Sequence, residues 1–305
     1  MAFTRRGKEA AKEIAQIYSL LAPLIIFLFI FCYIPMYGVI IAFQNYVPGL
    51  PFIGKGVEWV GLKWILRFIR GEYFWRLIRN TLVLSGLNLA FGFTIPIAFA
   101  LLLDQIKRLR FRKFVQTASY LPYFISTVIV AGMVLSFINT DGIITKFLTL
   151  FGFPIQNWRL SKNAFPVIYT ITNTWKGFGF GSILYLSTIT SIDPGLYESA
   201  KIDGANRFQQ IIHITLPGIQ RIIAINLIMA IGGILGTNSE LILNLYHAAT
   251  YETADVIGTY TYRLGILGGE YSYTTAVGLF MSFFAFLLTF TANKVSNKLT
   301  DFGLW

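Results

Sequence analysis

The chain has 305 residues, of which 55% are hydrophobic and 13% are charged. A soluble domain carries about 25% charged residues, so this composition predicts a membrane protein and argues against a soluble enzyme. The formal net charge of +11 is attributed to basic residues that flank apolar spans, and no nucleic-acid partner is expected.

The predicted fold class is all-α, a polytopic membrane bundle. Its apolar runs are long enough for spanning helices and too long for the strands of an outer-membrane barrel. Six spans are expected, at about residues 18–43, 81–103, 114–138, 165–192, 218–235 and 275–292. Within residues 59–80, arginines recur at helical spacing among aromatic residues, which indicates an interfacial helix ahead of the second span.

A short loop between the second and third predicted spans sets the orientation. It is crowded with basic residues, namely Lys107, Arg108, Arg110, Arg112 and Lys113. Short loops rich in Lys and Arg stay in the cytoplasm. Because six spans return the chain to its starting side, both termini and the loop at residues 193–217 are expected there as well.

The chain offers little for catalysis or metal binding. Cys32, His213 and His247 are far apart and lack partners at ligand spacing, so no metal site is expected. The segment Gly54-Lys55-Gly56 lacks the glycine and the hydroxyl residue of a phosphate-binding loop. The chain is therefore expected to be no enzyme and to bind no cofactor itself, so that an energy source must come from a partner.

The loop at residues 193–217 has an order that an ordinary polar connection does not need. Asp193 is a good helix N-cap, and Pro194 suits the first helical turn. Residues 198–202 are predicted to form a short helix, and Gly204 can adopt the left-handed conformation that ends it. This arrangement is typical of a helix that docks into another protein.

From Glu198 onward, the pattern Glu-Ser-Ala, three residues, Gly, nine residues and Ile-x-Leu-Pro resembles the cytoplasmic EAA loop of ABC importer permeases. Other segments resemble binding-protein-dependent sugar permeases of the maltose type: Phe74-Trp75, Asn80-Thr81-Leu82, Leu121-Pro122-Tyr123 and Asn173-Thr174-Trp175-x-Gly177. The tail from Thr275 to Trp305 is similar to LplB-like oligosaccharide permeases. The resemblance covers about residues 75–305.

This resemblance implies a transport subunit in a bacterial cell membrane, without an ATPase site of its own. The partners it implies are membrane lipid, a second homologous permease that gives a heterodimer, two ATPase subunits that hold ATP and Mg²⁺, and an extracellular or periplasmic solute-binding protein. Residues 1–74 would form a cytoplasmic tail, the first span and an extracellular or interfacial segment. Residues 75–295 would form the permease core, with the coupling loop at 193–217, and residues 296–305 a cytoplasmic tail.

The resemblance also assigns residues to the two functional regions. Contacts with the ATPase are expected from Glu198, Ser199, Ala200, Asp203 and Gly204, where Ser199 replaces the usual Ala. The substrate path is expected to include Tyr123, Thr127, Asn173, Lys176, Gly177, Phe180, Thr237 and Asn238. A charged residue at the centre of a span costs about 3 kcal/mol on insertion scales and usually faces a cavity. Lys176 therefore favours an acidic, uronate-containing oligosaccharide.

Alternatives remain open for these residues. Gly177 could serve a helix–helix contact, Tyr123 and Phe180 could be apolar filler, and Lys176 could snorkel or pair with Glu240. A different function, an ion-gradient-driven secondary transporter of small polar solutes, would favour buried carboxylates that hold the coupling ion. The predicted spans contain almost no Asp or Glu.

Overall fold

The computed structural model describes residues 2–300 and 303–304. The α-helices of this part of the chain are α1 (Ala2–Leu28), α2 (Ile34–Met36), α3 (Lys63–Ile69), α4 (Phe74–Leu87), α5 (Thr94–Asp104), α6 (Leu109–Phe124), α7 (Thr127–Ile138), α8 (Ile143–Thr149), α9 (Phe165–Thr190), α10 (Pro194–Ile202), α11 (Arg207–Gln210), α12 (Leu216–Gly218), α13 (Gln220–Gly232), α14 (Ser239–Leu245), α15 (Tyr251–Ala254), α16 (Ile257–Thr261) and α17 (Tyr271–Thr300). The described residues contain a single isolated β-bridge and no strand, which confirms the predicted all-α class.

Short segments of other helical types join several of these helices. Four are π-helical, Phe29–Tyr33, Asn88–Phe93, Ile211–Thr215 and Tyr262–Leu267, and three are 3₁₀-helical, Tyr37–Phe43, Trp158–Leu160 and Ala248–Thr250. The π-helical segment Asn88–Phe93 joins α4 to α5 without interruption. Single π turns of this kind inside α-helices are frequent at functional sites.

The chain divides into two compact units, of which the first comprises Met1–Arg70 and Leu264–Phe280. Within this unit, the indole Nε1 of Trp64 donates a hydrogen bond of 2.8 Å to the carbonyl of Gln44. The guanidinium of Arg67 forms a 2.8 Å ion pair with Glu270. These contacts tie α3 to the loop before it and to the residue that precedes α17.

The second unit comprises Gly71–Arg263 and Met281–Trp305. Its longest element within Gly71–Arg263 is α9, which has 26 residues and carries Pro166 in its first turn, where proline is well suited. This helix contributes Tyr169 to one buried apolar cluster and Tyr185 to another. Because both clusters draw on α9, the position of this helix sets the positions of α5, α6, α7 and α14, which pack around it or around the clusters.

The expected spans are recovered only in part. Four helical runs of the described chain are long and apolar enough to cross a membrane, namely Ile14–Phe43, Phe74–Asp104, Thr127–Thr149 and Tyr271–Lys298. A fifth arises if the helices Arg207–Gly218 and Gln220–Gly232, bent by 62°, count as one span. The helix α9 has the length but is not among them, since it carries polar residues such as Asn173 and Lys176. Six spans therefore stay a prediction.

Two predicted helices are interrupted. The third expected span, at residues 114–138, is not one helix: α6 ends at Phe124, and the backbone at Ile125 is extended, with φ −76° and ψ 134°. The helix expected over residues 59–80 is likewise divided, because α3 ends at Ile69 and α4 begins at Phe74. In both cases the helical spacing of residues continues through the sequence, whereas the backbone leaves the helical conformation.

A buried carboxylate anchors the connection between α14 and α16 to α4. The Asp255 side chain is fully buried and accepts two hydrogen bonds from Arg263, at 3.0 and 2.8 Å, and one from Thr259 at 2.8 Å. Arg76 adds an ion pair at 3.3 Å. Hydrogen bonding to Asp255 raises the pKa of the Arg263 guanidinium further above its ordinary value. The Asn80 amide donates to the Asp255 carbonyl at 3.0 Å, so the backbone is held as well.

We expect Gly179→Ala to destabilise the protein. A Cβ at Gly179 would collide with the backbone carbonyl of Ser119 on α6, which leaves no flexible side chain to move aside. Overpacking costs about 1–3 kcal/mol, and the better helix propensity of Ala returns about 1 kcal/mol. The matched control is Gly181→Ala, whose Cβ would lie 3.5 Å from Pro96, an ordinary contact. The midpoint temperature of thermal unfolding of the detergent-purified protein should fall for Gly179→Ala only. Equal midpoint temperatures for the two variants would contradict the close approach of α9 to α6 at Gly179.

Candidate functional site

One face of α9 carries four of the side chains that matter most. Tyr169, Asn173, Lys176 and Phe180 are spaced by four, three and four residues, which places them on one side of a helix. Three of them are predicted path residues, and Tyr169 is not. Each contacts a side chain or backbone group from another helix, described below.

A chain of amides crosses the unit at the level of Asn173. Its Nδ2 donates to Oδ1 of Asn88 at 2.7 Å, and its Oδ1 accepts from Nδ2 of Asn238 at 3.0 Å. The backbone N–H of Asn238 donates to the Tyr169 hydroxyl at 3.3 Å. Polar groups among apolar helices need such partners, because an unsatisfied one costs about 1–3 kcal/mol. The structure thus brings together two predicted residues, Asn173 and Asn238, with one that sequence reasoning missed.

The missed residue, Asn88, lies in the first turn of the π-helical segment Asn88–Phe93. A polar amide within the apolar run of the second predicted span is the available signal. Hydropathy alone makes the segment an ordinary span, and the partner of Asn88 lies 85 residues away along the chain. No short-range pattern connects the two.

Lys176 lies half-buried, one turn along α9 from Asn173. Its Nζ donates to the Thr127 hydroxyl at 2.6 Å, so two predicted path residues meet. Among the described residues, Glu240 takes part in none of the ion pairs, and the alternative pairing of Lys176 with Glu240 is not present. Thr127 is the first residue of α7, which the extended backbone at Ile125 separates from α6.

Tyr123 and Phe180 form the next contact along the same two elements. Their rings are stacked, with centroids 3.9 Å apart and planes inclined by 4°. Phe124 packs edge-on against both rings. The two stacked side chains remain partly exposed, at 45% and 38%. The aromatic pair and the Lys176–Thr127 pair are therefore two successive contacts between α9 and the α6–α7 segment.

The two glycines of this part of α9 have different roles. Gly177 faces open space, because a Cβ added to it would meet no atom of a neighbouring helix of this chain within 4 Å. The close helix contact is made instead by Gly179, against Ser119. Thr237, the remaining predicted path residue, lies next to Asn238 just before α14 and lines a small cavity of mixed polar and apolar character with Tyr169.

The predicted short helix of the loop is present as α10. Asp193 caps it, since its Oδ1 accepts from the N–H of Gly195 at 2.9 Å. The N–H of Ala205 donates to the carbonyl of Ala200 at 2.8 Å, and that of Gly204 to Lys201 at 3.1 Å. Gly204 has φ +80°. These bonds form a Schellman motif, which fixes where the helix ends.

Most of this loop is exposed, including large apolar side chains. Ile202 at the end of α10 is 87% exposed, and Phe208 on α11 is 70% exposed. Glu198, Ser199 and Asp203 are exposed too, whereas Ala200 is half-buried. A hydrogen bond anchors α10 to the chain that follows it, because the Tyr197 hydroxyl lies 3.0 Å from the hydroxyl of buried Thr215. An anchored helix with an apolar and acidic outer face is typical of a protein-binding surface.

Metal binding has little basis in the part of the chain that the structure describes. No three His, Cys, Asp or Glu side chains there are grouped so that they could hold an ion. Cys32 is exposed and unpaired. The chemistry of the candidate site therefore rests on amides, hydroxyls, aromatic faces and one ammonium group.

Comparison with known proteins identifies the family. A family profile described as "Binding-protein-dependent transport system inner membrane component" matches residues 90–301. The chain is 40% identical to the polygalacturonan/rhamnogalacturonan transport system permease protein YteP of Bacillus subtilis (strain 168), over 99% of this chain and 94% of that protein. It is 38% identical to protein LplB of the same strain, over 97% and 93%.

A solved structure of a bacterial alginate ABC transporter, in complex with an alginate pentasaccharide-bound periplasmic protein, contains a chain of the same fold. That chain is 42% identical to the present one and superimposes with a TM-score of 0.87, over 97% of this chain and 99% of that one. The chain described here belongs to the family of binding-protein-dependent transport system inner membrane components.

Proposed function

We propose that the chain is the permease subunit of an ABC importer that takes up acidic oligosaccharides built from uronate units. Two of the similar proteins, YteP and the alginate transporter, are described as transporting polygalacturonan and rhamnogalacturonan or alginate, whose uronate units carry carboxylates. The face of α9 supplies the matching chemistry, since its amides suit sugar hydroxyls and its aromatic rings suit pyranose faces.

The environment of Lys176 is the observation that supports an acidic substrate. Its ammonium group is half-buried and bonds to a neutral hydroxyl, Thr127 Oγ1, and to no carboxylate among the described residues. A positive charge in an apolar region is costly unless it is paired. A uronate carboxylate in the path would provide the missing partner, and Thr127 would hold the ammonium in place until it arrives.

The coupling loop is the proposed docking site of a separate ATPase. Ile202 and Phe208 supply exposed apolar surface, Glu198 and Asp203 supply negative charge, and Ala200 leaves room for close approach. ATP and Mg²⁺ would be held by two such ATPase subunits and no cofactor by this chain. A second homologous permease would complete the path, with a solute-binding protein on the opposite side of the membrane.

The proposed arrangement in the membrane has six spans, with both termini and α10 in the cytoplasm. In this arrangement α9 is the fourth span and the bent pair of helices, Arg207–Gly218 and Gln220–Gly232, leads into and forms the fifth. The polar face of α9 is then compatible with a span because it faces the path and not lipid.

The substrate class is tested with Lys176→Gln. The complete importer, reconstituted in proteoliposomes, is given trigalacturonate and its fully methyl-esterified form, which has the same backbone without charge. Since hydrogen bonds to charged groups contribute about 1.5–3 kcal/mol, kcat/KM for the acid should fall by about 10- to 100-fold. Uptake of the ester should change little.

The control is Lys162→Gln, which removes an exposed ammonium paired with Glu252 at 2.7 Å and should leave both substrates unaffected. An equal loss for acid and ester in Lys176→Gln would show that the lysine does not recognise the carboxylate. ATP-independent uptake driven by an ion gradient would instead favour a secondary transporter.

The docking role of α10 is tested with Gly204→Val. Gly204 has φ +80°, so a β-branched side chain strains the backbone and disrupts the end of the helix. Gly152→Val is the matched control, because Gly152 has φ +82° and, like Gly204, faces open space. We expect Gly204→Val to lose co-purification of the ATPase and ATP-driven uptake, while Gly152→Val keeps both. If both variants keep ATPase co-purification and ATP-driven uptake equally well, the loop does not have the proposed coupling role.

A further inference from the structure

A small cavity with both polar and apolar lining residues lies beside the amide chain, on the side of α4. It has a volume of about 260 Å³, and the lining residues that matter are Ser85, Asn88, Gly92, Tyr169, Gly233 and Thr237. We call it the Ser85 chamber. Complete ligand pockets measure about 300–1,000 Å³, whereas one water occupies about 30 Å³ in the liquid. The chamber is therefore too small for an oligosaccharide but large enough for one sugar ring.

Ser85 is a buried polar residue of the chamber. It is only 6% exposed, and its Oγ has no hydrogen-bond partner among the residues that the structure describes. Buried hydroxyls are nearly always hydrogen-bonded, and each exception calls for an explanation. A ligand atom in the chamber would supply the missing bond.

The backbone around the chamber is arranged to place Asn88 at its wall. The π-helical segment begins at Asn88, whose Oδ1 faces Gly92: a Cβ at Gly92 would lie 2.6 Å from that oxygen. Glycine at this position thus leaves space for the amide. Asn88 in turn accepts from Asn173 on the proposed path, so the chamber and the path share a wall.

The chemistry of the lining points to one ligand group. Ser85 and Thr237 offer hydroxyls, Asn88 an amide and Tyr169 a phenol, and the lining contains no Lys, Arg, Asp or Glu. Such a lining suits neutral hydroxyl groups and not a carboxylate, which would lack a cation there. The carboxylate of the same substrate has Lys176 available on the neighbouring path.

We infer that the Ser85 chamber is a side subsite of the path, which binds the hydroxyl groups of one sugar unit through Ser85 and Asn88. This inference rests on the proposed function, since it assigns part of the same substrate to this chamber. It adds α4 and the π-helical segment to the elements that recognise sugar. Neither is expected on the path from the sequence.

The test is substrate protection of an introduced cysteine. Cys32 is replaced first by Ser, and Ser85→Cys is then combined with it in the complete importer. Labelling by a small methanethiosulfonate is followed with and without saturating trigalacturonate, presented by the solute-binding protein under turnover. We expect the sugar to slow labelling of Ser85→Cys by about threefold or more.

Thr174→Cys is the matched control for this experiment. Thr174 is 8% exposed, and within the described part of the chain its Oγ1 also lacks a hydrogen-bond partner, but it lines an apolar cavity of about 550 Å³ with Leu87 and Phe178. Its labelling should not respond to sugar. If Ser85→Cys responds no more than Thr174→Cys while the Cys32→Ser importer takes up the sugar, the chamber holds no substrate and the inference is overturned.

A second variant keeps the test independent of cysteine chemistry. Ser85→Ala removes only the hydroxyl and should raise KM for trigalacturonate uptake by about 3- to 10-fold, the loss expected for one hydrogen bond. Thr174→Val should leave KM unchanged. An unchanged KM in Ser85→Ala would also overturn the inference. If the Cys32→Ser importer takes up neither trigalacturonate nor its methyl ester, the failure lies with the proposed function, and protection is then measured with neutral oligosaccharides.

Discussion

The hydrogen-bonded amides of Asn88, Asn173 and Asn238 are the constraint on which the candidate site depends. The three polar side chains come from three separate helical elements, and the Asn173 amide has both of its partners only if Asn88 and Asn238 are in place. In apolar surroundings, the cost of leaving one unpaired is larger than the net gain of making the bond. The chain of amides therefore fixes the relative positions of α9, the π-helical segment Asn88–Phe93 and the start of α14.

The same principle governs the rest of the face of α9. Lys176 donates to Thr127, which gives the ammonium group a hydrogen-bond partner within the bundle. The extended backbone at Ile125 lies between Tyr123 and Thr127, the two residues that contact this face of α9.

Local features of the site could be predicted from the sequence, because they depend on residues close together in the chain. The helix α10 is the best example: Asp193, Pro194 and Gly204 each specify a backbone conformation independently of packing. The all-α class could also be predicted from the sequence, because it follows from the length of the apolar runs. Helical spacing also predicts that Asn173, Lys176 and Phe180, which the family resemblance singles out, share one face of α9.

Non-local features could not be predicted. The pairing of Asn88 with Asn173 joins residues 85 positions apart. Lys176 bonds to Thr127 and not to Glu240 because of where the helices lie, which residue spacing in the sequence does not reveal. The same limit explains the glycines. Gly177 and Gly179 are equally permissive in sequence, but only the direction in which α6 approaches α9 decides that Gly179 lies against Ser119. The break at Ile125 is only weakly marked in the sequence, by Ser126 at the N-cap position of α7, and Pro122 lies inside α6 and does not end it.

The stacking of Tyr123 on Phe180 has a consequence for passage. With ring centroids 3.9 Å apart, the two faces already lie at van der Waals distance, so no sugar fits between them. A ring that is to lie between both faces needs about twice that separation, since each contact requires about 3.5–4.0 Å. One pair of faces would then be exchanged for two pairs of sugar–aromatic contacts. On the proposed path, opening at this level would be compensated by contacts with the sugar, so the stacked pair would stay closed in a transporter without substrate.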